Sequence, residues 1–104
     1  MRIYLNIEQH ETDNPTVTIY SPSALELTGT RDSKGVYTLT SENPIFTEGT
    51  GVFTTRQDYL TDLSGGDLYG SRVDDYNIKL INWGSVSGFP EDEVNNIKIL
   101  IEIP

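Results

Sequence analysis

Residues 14–40, NPTVTIYSPSALELTGTRDSKGVYTLT, decide the fold class. Three short runs of β-branched, Leu and Tyr residues lie in this stretch and alternate with Thr or Glu. They are separated by SPS at residues 21–23 and DSKG at residues 32–35, which are clusters typical of turns. Alternation with a period of two places every second side chain on one face of a strand. The stretch therefore predicts three adjacent antiparallel strands with one face buried, to which the other strands add.

The same alternation recurs along the rest of the chain. The eight predicted strands cover residues 2–8, 16–20, 25–31, 36–40, 45–47, 52–56, 76–83 and 96–103. The first and last of these carry Ile or Leu at every second position, so together they predict much of the core. About eight short strands at even spacing predict an all-β fold, either an antiparallel β-sandwich or a small jelly roll.

Length and composition fit one small domain. The chain has 104 residues, so we expect a single β-sandwich domain over residues 1–104. Hydrophobic residues make up 36% of it, which indicates a thin core or a subunit that completes its burial against a partner. There are no cysteines, which excludes disulfides and thiolate metal sites.

The charge balance narrows the class of partner. Sixteen acidic and seven basic residues give a formal net charge of -9, which repels phosphate backbones and anionic membrane surfaces. We therefore expect neither nucleic acid nor a membrane as a partner. The charge either keeps the protein soluble before assembly or complements a basic partner. The N-terminus shows no signal-peptide pattern, so the expected site of synthesis is a cytoplasm.

Residues 57–72 interrupt the alternation with apolar side chains scattered among Asp and Gly. A connection of this length in a small domain is typically functional or ordered by a neighbour. Trp83 and Phe89 also stand outside the alternation, beside Gly84 and Pro90, and either form an interface or cap the end of the sandwich. The predicted partner-binding residues are Tyr59, Leu63, Leu68, Tyr69, Trp83 and Phe89.

Sites for chemistry are poorly supported by the sequence. Asp58, Asp62 and Asp67 could supply oxygen ligands to a cation, but their spacing matches no EF-hand, and a solvated acidic loop is the favoured interpretation. His10 is the single histidine, and no Gly-x-Ser-x-Gly motif accompanies it. We predict no catalytic residues, no metal, no cofactor and no enzymatic activity.

Four pieces of the chain resemble one family, the small β-rich structural proteins of tailed bacteriophages that infect Bacteroidetes-type hosts. The matching pieces are NPTVTI at residues 14–19, LTGTR at 27–31, KGVY at 34–37 and IEI at 101–103. The acidic loop around Gly65 and Gly66 is an addition to that pattern. The chain also ends at Pro104, where relatives continue with Arg-Val-Tyr.

This resemblance implies a virion component, found in the virion after synthesis in the host cytoplasm. The implied role is capsid decoration or a head-fibre-associated subunit that binds other virion proteins, capsid or fibre subunits, as a homo-oligomer. The alternative is a carbohydrate- or host-receptor-binding module of a phage fibre or tail, with Trp83 and Tyr69 as stacking platforms.

Overall fold

The structure is a computed structural model that describes residues 1–54, 67–84 and 87–104. These residues form eight strands: β1 (Arg2–Gln9), β2 (Thr16–Ser21), β3 (Thr28–Ser33), β4 (Val36–Thr40), β5 (Gly51–Thr54), β6 (Asp67–Arg72), β7 (Asn77–Trp83) and β8 (Val94–Glu102). The predicted all-β class is confirmed. Within the described ranges the chain forms no helix, and hence none that could span a membrane.

The strands build two antiparallel sheets that pack as a β-sandwich. Sheet A has the order β2-β1-β8-β5, and sheet B has the order β3-β4-β7-β6. Three hairpins supply neighbouring pairs, and β8 returns to lie between β1 and β5. The N–H of Ile103 donates to the carbonyl of Met1 at 2.8 Å, so the two chain ends are held beside each other.

The core lies between the sheets and has the composition that the alternation predicts. Sheet A contributes Ile3, Leu5, Ile7, Ile97, Ile99 and Ile101, each at most 2% exposed. Sheet B contributes Tyr37, Leu39, Ile78 and Leu80, each 0% exposed. Burying a side chain of this size contributes about 1.5–3 kcal/mol before the conformational entropy is subtracted. The inward residues of β1 and β8 therefore form much of the core, as predicted.

The predicted meander over residues 14–40 is wrong in one respect, because the chain changes sheet between β2 and β3. β2 pairs with β1 in sheet A, whereas β3 pairs with β4 in sheet B and begins at Thr28 rather than at residue 25. Pro22 has no N–H with which to continue a ladder. Leu25 and Leu27, predicted to face inward on a strand, instead pack against the core from the crossing segment.

The predicted hairpin of residues 45–47 with 52–56 is also wrong. Residues 45–47 form no strand. The backbone N–H of Phe46 donates to the carbonyl of Asp75 at 2.8 Å, and its ring is fully buried. β5 pairs instead with β8, so Phe53 lies opposite Leu100.

Part of the predicted loop over residues 57–72 is strand β6, which pairs with β7. Gly70 faces the core, where a β-carbon would clash with a methyl group of Val52. Because glycine has no side chain at this inward position, the sequence of β6 does not show the alternation that would predict a strand. The hydroxyl of Thr54 donates to the carbonyl of Leu68, which ties the edge of sheet A to the edge of sheet B.

Candidate functional site

The outer face of sheet A carries a row of apolar side chains that crosses all four strands. Leu100 on β8 lies directly opposite Tyr4 on β1 and opposite Phe53 on β5. Tyr4 is 44% exposed and Phe53 is 55% exposed, while Leu100 is partly exposed. Together with Tyr20 and Lys98 these residues are called surface A below.

Tyr20 joins the row because it lies at an outward position of β2, next to Ile19, which packs against the core. Ser21 lies opposite Tyr4 and Ile19 lies opposite Leu5, so Tyr20 is also the extra residue of a β-bulge at this point. The ring of Tyr20 is 57% exposed, and the ammonium nitrogen of Lys98 lies 5.8 Å from its centroid. This is the distance of a cation–π contact.

The side chains of surface A line a groove of about 490 Å³. Apart from Thr54 and the ammonium of Lys98, the side chains that line it are apolar or aromatic. The ring of Phe53 folds back over Gly51, where a β-carbon would come within 3.0 Å of it. Grooves of this size and character accept apolar or aromatic groups. Surface A can therefore bury part of a partner, with aromatic rings supplying most of the contact area.

The outer face of sheet B carries a second apolar set, called surface B: Val36, Tyr69, Ile81 and Trp83. Ile81 lies opposite both Val36 on β4 and Tyr69 on β6. Trp83 follows two residues later on the same face and is 39% exposed, and Tyr69 is 58% exposed. Diagonal neighbours of this kind lie about 7–8 Å apart, so the two rings share one patch.

The structure separates the six predicted partner-binding residues. Tyr69 and Trp83 come together on surface B, and Phe89 is 70% exposed in the turn that follows Trp83. Leu68 is 2% exposed in the core, because it occupies an inward position of β6, so its predicted surface role is wrong. Tyr59 and Leu63 lie outside the described residues.

The predicted partner-binding residues include none from surface A, although the sequence carries a signal for it. Tyr4 and Leu100 are apolar residues at the outward positions of strands whose inward positions are already Ile or Leu. An apolar residue at an outward position, where the alternation normally places a polar one, indicates an exposed apolar patch. The contribution of Phe53 depends on the pairing of β5 with β8, which the sequence alone did not predict.

A polar cluster at one end of the sandwich joins both sheets. Arg31 donates to the carboxylate of Asp92 from Nε at 3.2 Å and from Nη2 at 2.8 Å. The N–H of Gly35 donates to the same carboxylate at 3.0 Å. The hydroxyl of Tyr37 lies 2.6 Å from Oε1 of Gln9 and 3.0 Å from Oδ1 of Asp92. These groups satisfy one another, so the cluster fixes the end of the sandwich.

The ionisation of this cluster follows from its contacts. Burial, followed by the hydrogen bond to Asp92, raises the pKa of Tyr37, so its hydroxyl stays protonated. Burial opposes the ionisation of Asp92, but the hydrogen bonds from Arg31, Gly35 and Tyr37 outweigh it and lower the pKa of this carboxyl. Asp92 is therefore a stable acceptor at neutral pH rather than a proton donor.

His10 lies on the exposed rim beside this cluster. Its Nε2 lies 2.8 Å from Glu8 and its Nδ1 lies 3.1 Å from Glu93. The hydrogen bonds with Glu8 and Glu93 raise the pKa of His10. The pKa of Glu93 is lowered most by the hydrogen bond from the backbone N–H of Glu11 and next by the hydrogen bond with His10. The imidazole joins the end of β1 to the segment that precedes β8.

The predicted alternative of a cation in the acidic loop falls largely outside the described residues, since Asp58 and Asp62 lie there. Across residues 1–54, 67–84 and 87–104, no group of three or more His, Asp or Glu side chains could hold a metal ion.

Comparison of the chain with protein-family models, with curated proteins and with solved structures finds no match in any of the three.

Proposed function

We propose that this protein is a structural subunit of a bacteriophage virion and acts through protein–protein contacts rather than catalysis. The observation that carries the proposal is surface A, an aromatic row with a groove of about 490 Å³ on the outer face of sheet A. Tyr and Phe at the centre of an exposed apolar patch are typical of protein interfaces. The phage setting rests on the resemblance of residues 14–19, 27–31, 34–37 and 101–103.

The charge distribution supports a contact role for this face. The chain carries a formal net charge of -9. On surface A the only charged side chain is Lys98, which lies over the ring of Tyr20. The aromatic rings and Leu100 carry no charge, so this part of the face can approach another protein at a low desolvation cost. Repetition on a lattice then multiplies a modest contact by avidity.

Mass spectrometry of particles tests the virion assignment. We expect the protein among the components of particles purified from the virus whose genome encodes the chain, and copy number separates its possible positions. Hundreds of copies correspond to capsid decoration, and a handful corresponds to a vertex or fibre. Failure to find the chain in purified particles that contain the other structural proteins would contradict the assignment.

A paired variant tests the role of surface A. Tyr20→Ser combined with Phe53→Ser removes two exposed rings, and we expect it to abolish incorporation into particles while circular dichroism stays unchanged. Tyr76→Ser is the matched control, because Tyr76 is 45% exposed and belongs to neither surface. Wild-type incorporation of the double variant would refute the contact role.

Surface B favours a second candidate function, the binding of a carbohydrate. Trp83 and Tyr69 are diagonal neighbours on one exposed face, an arrangement on which sugar rings can stack. The test is glycan-array binding by the purified chain. Binding that Trp83→Ala abolishes and Tyr76→Ala preserves would support this function.

A further inference from the structure

We infer that surface A binds a second copy of this chain, with β8 of one copy lying antiparallel across β8 of the other and Leu100 on the twofold axis. This inference rests on the proposed function, because it takes surface A as a protein contact and names the partner.

The charge on the outer face of sheet A favours a second copy of the chain as the partner. Most ways of bringing together two chains of net charge -9 place carboxylates against carboxylates. Around Leu100 carboxylates are not in excess: Lys98 and Arg2 are positive, and Glu102, which lies 3.4 Å from Arg2, is negative. Two copies can therefore meet at this face without setting carboxylates against carboxylates.

The spacing of charges along β8 favours the antiparallel arrangement of the two copies. Lys98, Leu100 and Glu102 occupy alternate positions on the outer face. A twofold axis that passes over Leu100 and runs across the strands reverses the direction of β8 in the second copy. Lys98 of each copy then lies over Glu102 of the other, about 7 Å from the axis along the strand. The face is thus complementary to itself, as a closed dimer requires.

The same axis follows the aromatic row. Tyr4 and Phe53 both lie opposite Leu100, so they lie on the line that crosses the sheet at the axis. Each ring therefore meets its own counterpart in the second copy. The Arg2 guanidinium falls over Asn6, which lies opposite Lys98 and carries no charge. A parallel arrangement of β8 would instead place Lys98 against Lys98, which opposes it.

The size of the face sets the expected affinity. Four strands at about 4.8 Å each and about seven residues at 3.3 Å each cover roughly 450 Å² of flat area per copy. The two copies together cover about twice this area, which is below the lower bound of about 1,200 Å² for stable interfaces. We therefore expect a dissociation constant in the micromolar range, which a particle lattice strengthens by raising the local concentration.

Sedimentation equilibrium of the purified full chain, at concentrations up to about 300 µM and low ionic strength, provides the test. We expect a species of twice 11.6 kDa. Lys98→Glu and Glu102→Lys should each raise the dissociation constant about tenfold, because each sets like charges face to face at two symmetry-related places. The double variant should return within about threefold of wild type, because the exchange restores both pairs.

Lys79→Glu is the matched control, since Lys79 is exposed on the outer face of sheet B and the change in net charge is the same. We expect it to leave the dimer unchanged. A monomer at the highest concentration would overturn the inference, and so would a dimer in which neither single substitution weakens association.

The result also separates the inference from the proposed function. A monomeric chain that enters particles only when Tyr20 and Phe53 are intact would show that a different protein occupies surface A. The inference would then fail while the proposed function stands. A dimer with the predicted charge response, from a chain missing from particles, would support the inference and refute the virion role.

Discussion

The two faces of sheet A are built from the same strands and both contain large apolar residues, yet their environments are opposite. On β8, Ile99 and Ile101 are at most 2% exposed, whereas Leu100 between them is partly exposed. On β1, Leu5 is 1% exposed and its neighbour Tyr4 is 44% exposed. Apolar character alone therefore does not define the core of a thin sandwich. Residues of the second face are available for binding because sheet B covers only the first.

The largest expected effect is the difference in unfolding free energy between Leu5→Ala and Leu100→Ala. Leu5→Ala leaves a cavity between the sheets and should lower the free energy of unfolding by about 2–5 kcal/mol. Leu100→Ala removes a side chain that already contacts water and should cost less than about 1 kcal/mol. Urea denaturation at low protein concentration, where association does not contribute, measures both.

Similar losses for the two variants would contradict the assignment of the faces. A loss at Leu100 larger than at Leu5 would mean that the outer face is covered within the monomer. Ile99→Val is a milder control at the inward position and should cost about 0.5–1.5 kcal/mol.

The core between the two sheets also contains polar groups, among them the hydroxyl of Tyr37 on β4 of sheet B, where a smaller effect is expected. Tyr37→Phe removes the hydroxyl that lies between Gln9 and Asp92. Oε1 of Gln9 still accepts a hydrogen bond from the N–H of Glu93 at 2.8 Å, so the substitution does not leave this acceptor without a donor. The expected cost is about 1 kcal/mol, measured by urea denaturation.

Tyr76→Phe is the control for this change, since Tyr76 is 45% exposed and should tolerate loss of its hydroxyl without a measurable effect. Equal stability of Tyr37→Phe and wild type would show that the polar cluster contributes nothing at this end of the sandwich.

Local patterns explain how much of this fold the sequence could predict. The alternation of β1, β4, β7 and β8 identifies the inward residues, because a period of two is a property of each strand by itself. The turn before β4 was also predictable, since Gly35 has the positive φ of 71° that its position requires. These features need no knowledge of the partner strand.

Pairing between distant segments could not be predicted in the same way. β5 lies beside β8, which begins 40 residues after the end of β5 at Thr54. The alternation continues on both sides of the change of sheet after β2, so it does not predict that change. Gly70 lacks the side chain that would have marked β6 as a strand.

The candidate site was only partly predictable for the same reason. Tyr69 and Trp83 were predicted as partner-binding residues, and the register of β6 with β7 places them on one face. Surface A needs three facts together: the outward position of Tyr4 on β1, the outward position of Tyr20 on β2 and the pairing of β5 with β8. The first two are local properties of the sequence, whereas the third is not.

The smallest expected effect concerns the rim where β1 leaves the covered part of sheet A. His10 is about half exposed and lies between Glu8 and Glu93, so solvent screens both contacts. The hydrogen bonds with Glu8 and then Glu93 raise the pKa of His10 above its usual 6.5. The imidazolium therefore stabilises the fold fully below pH 6.5, and this contribution is lost as the pH rises through the raised pKa. Below pH 6.5 the His10→Gln variant should have a lower free energy of unfolding than wild type, and this difference should shrink at higher pH. Added salt should reduce it at every pH, because these exposed charges are screened. A difference that stays constant from acidic to alkaline pH would show that His10 acts through packing rather than charge.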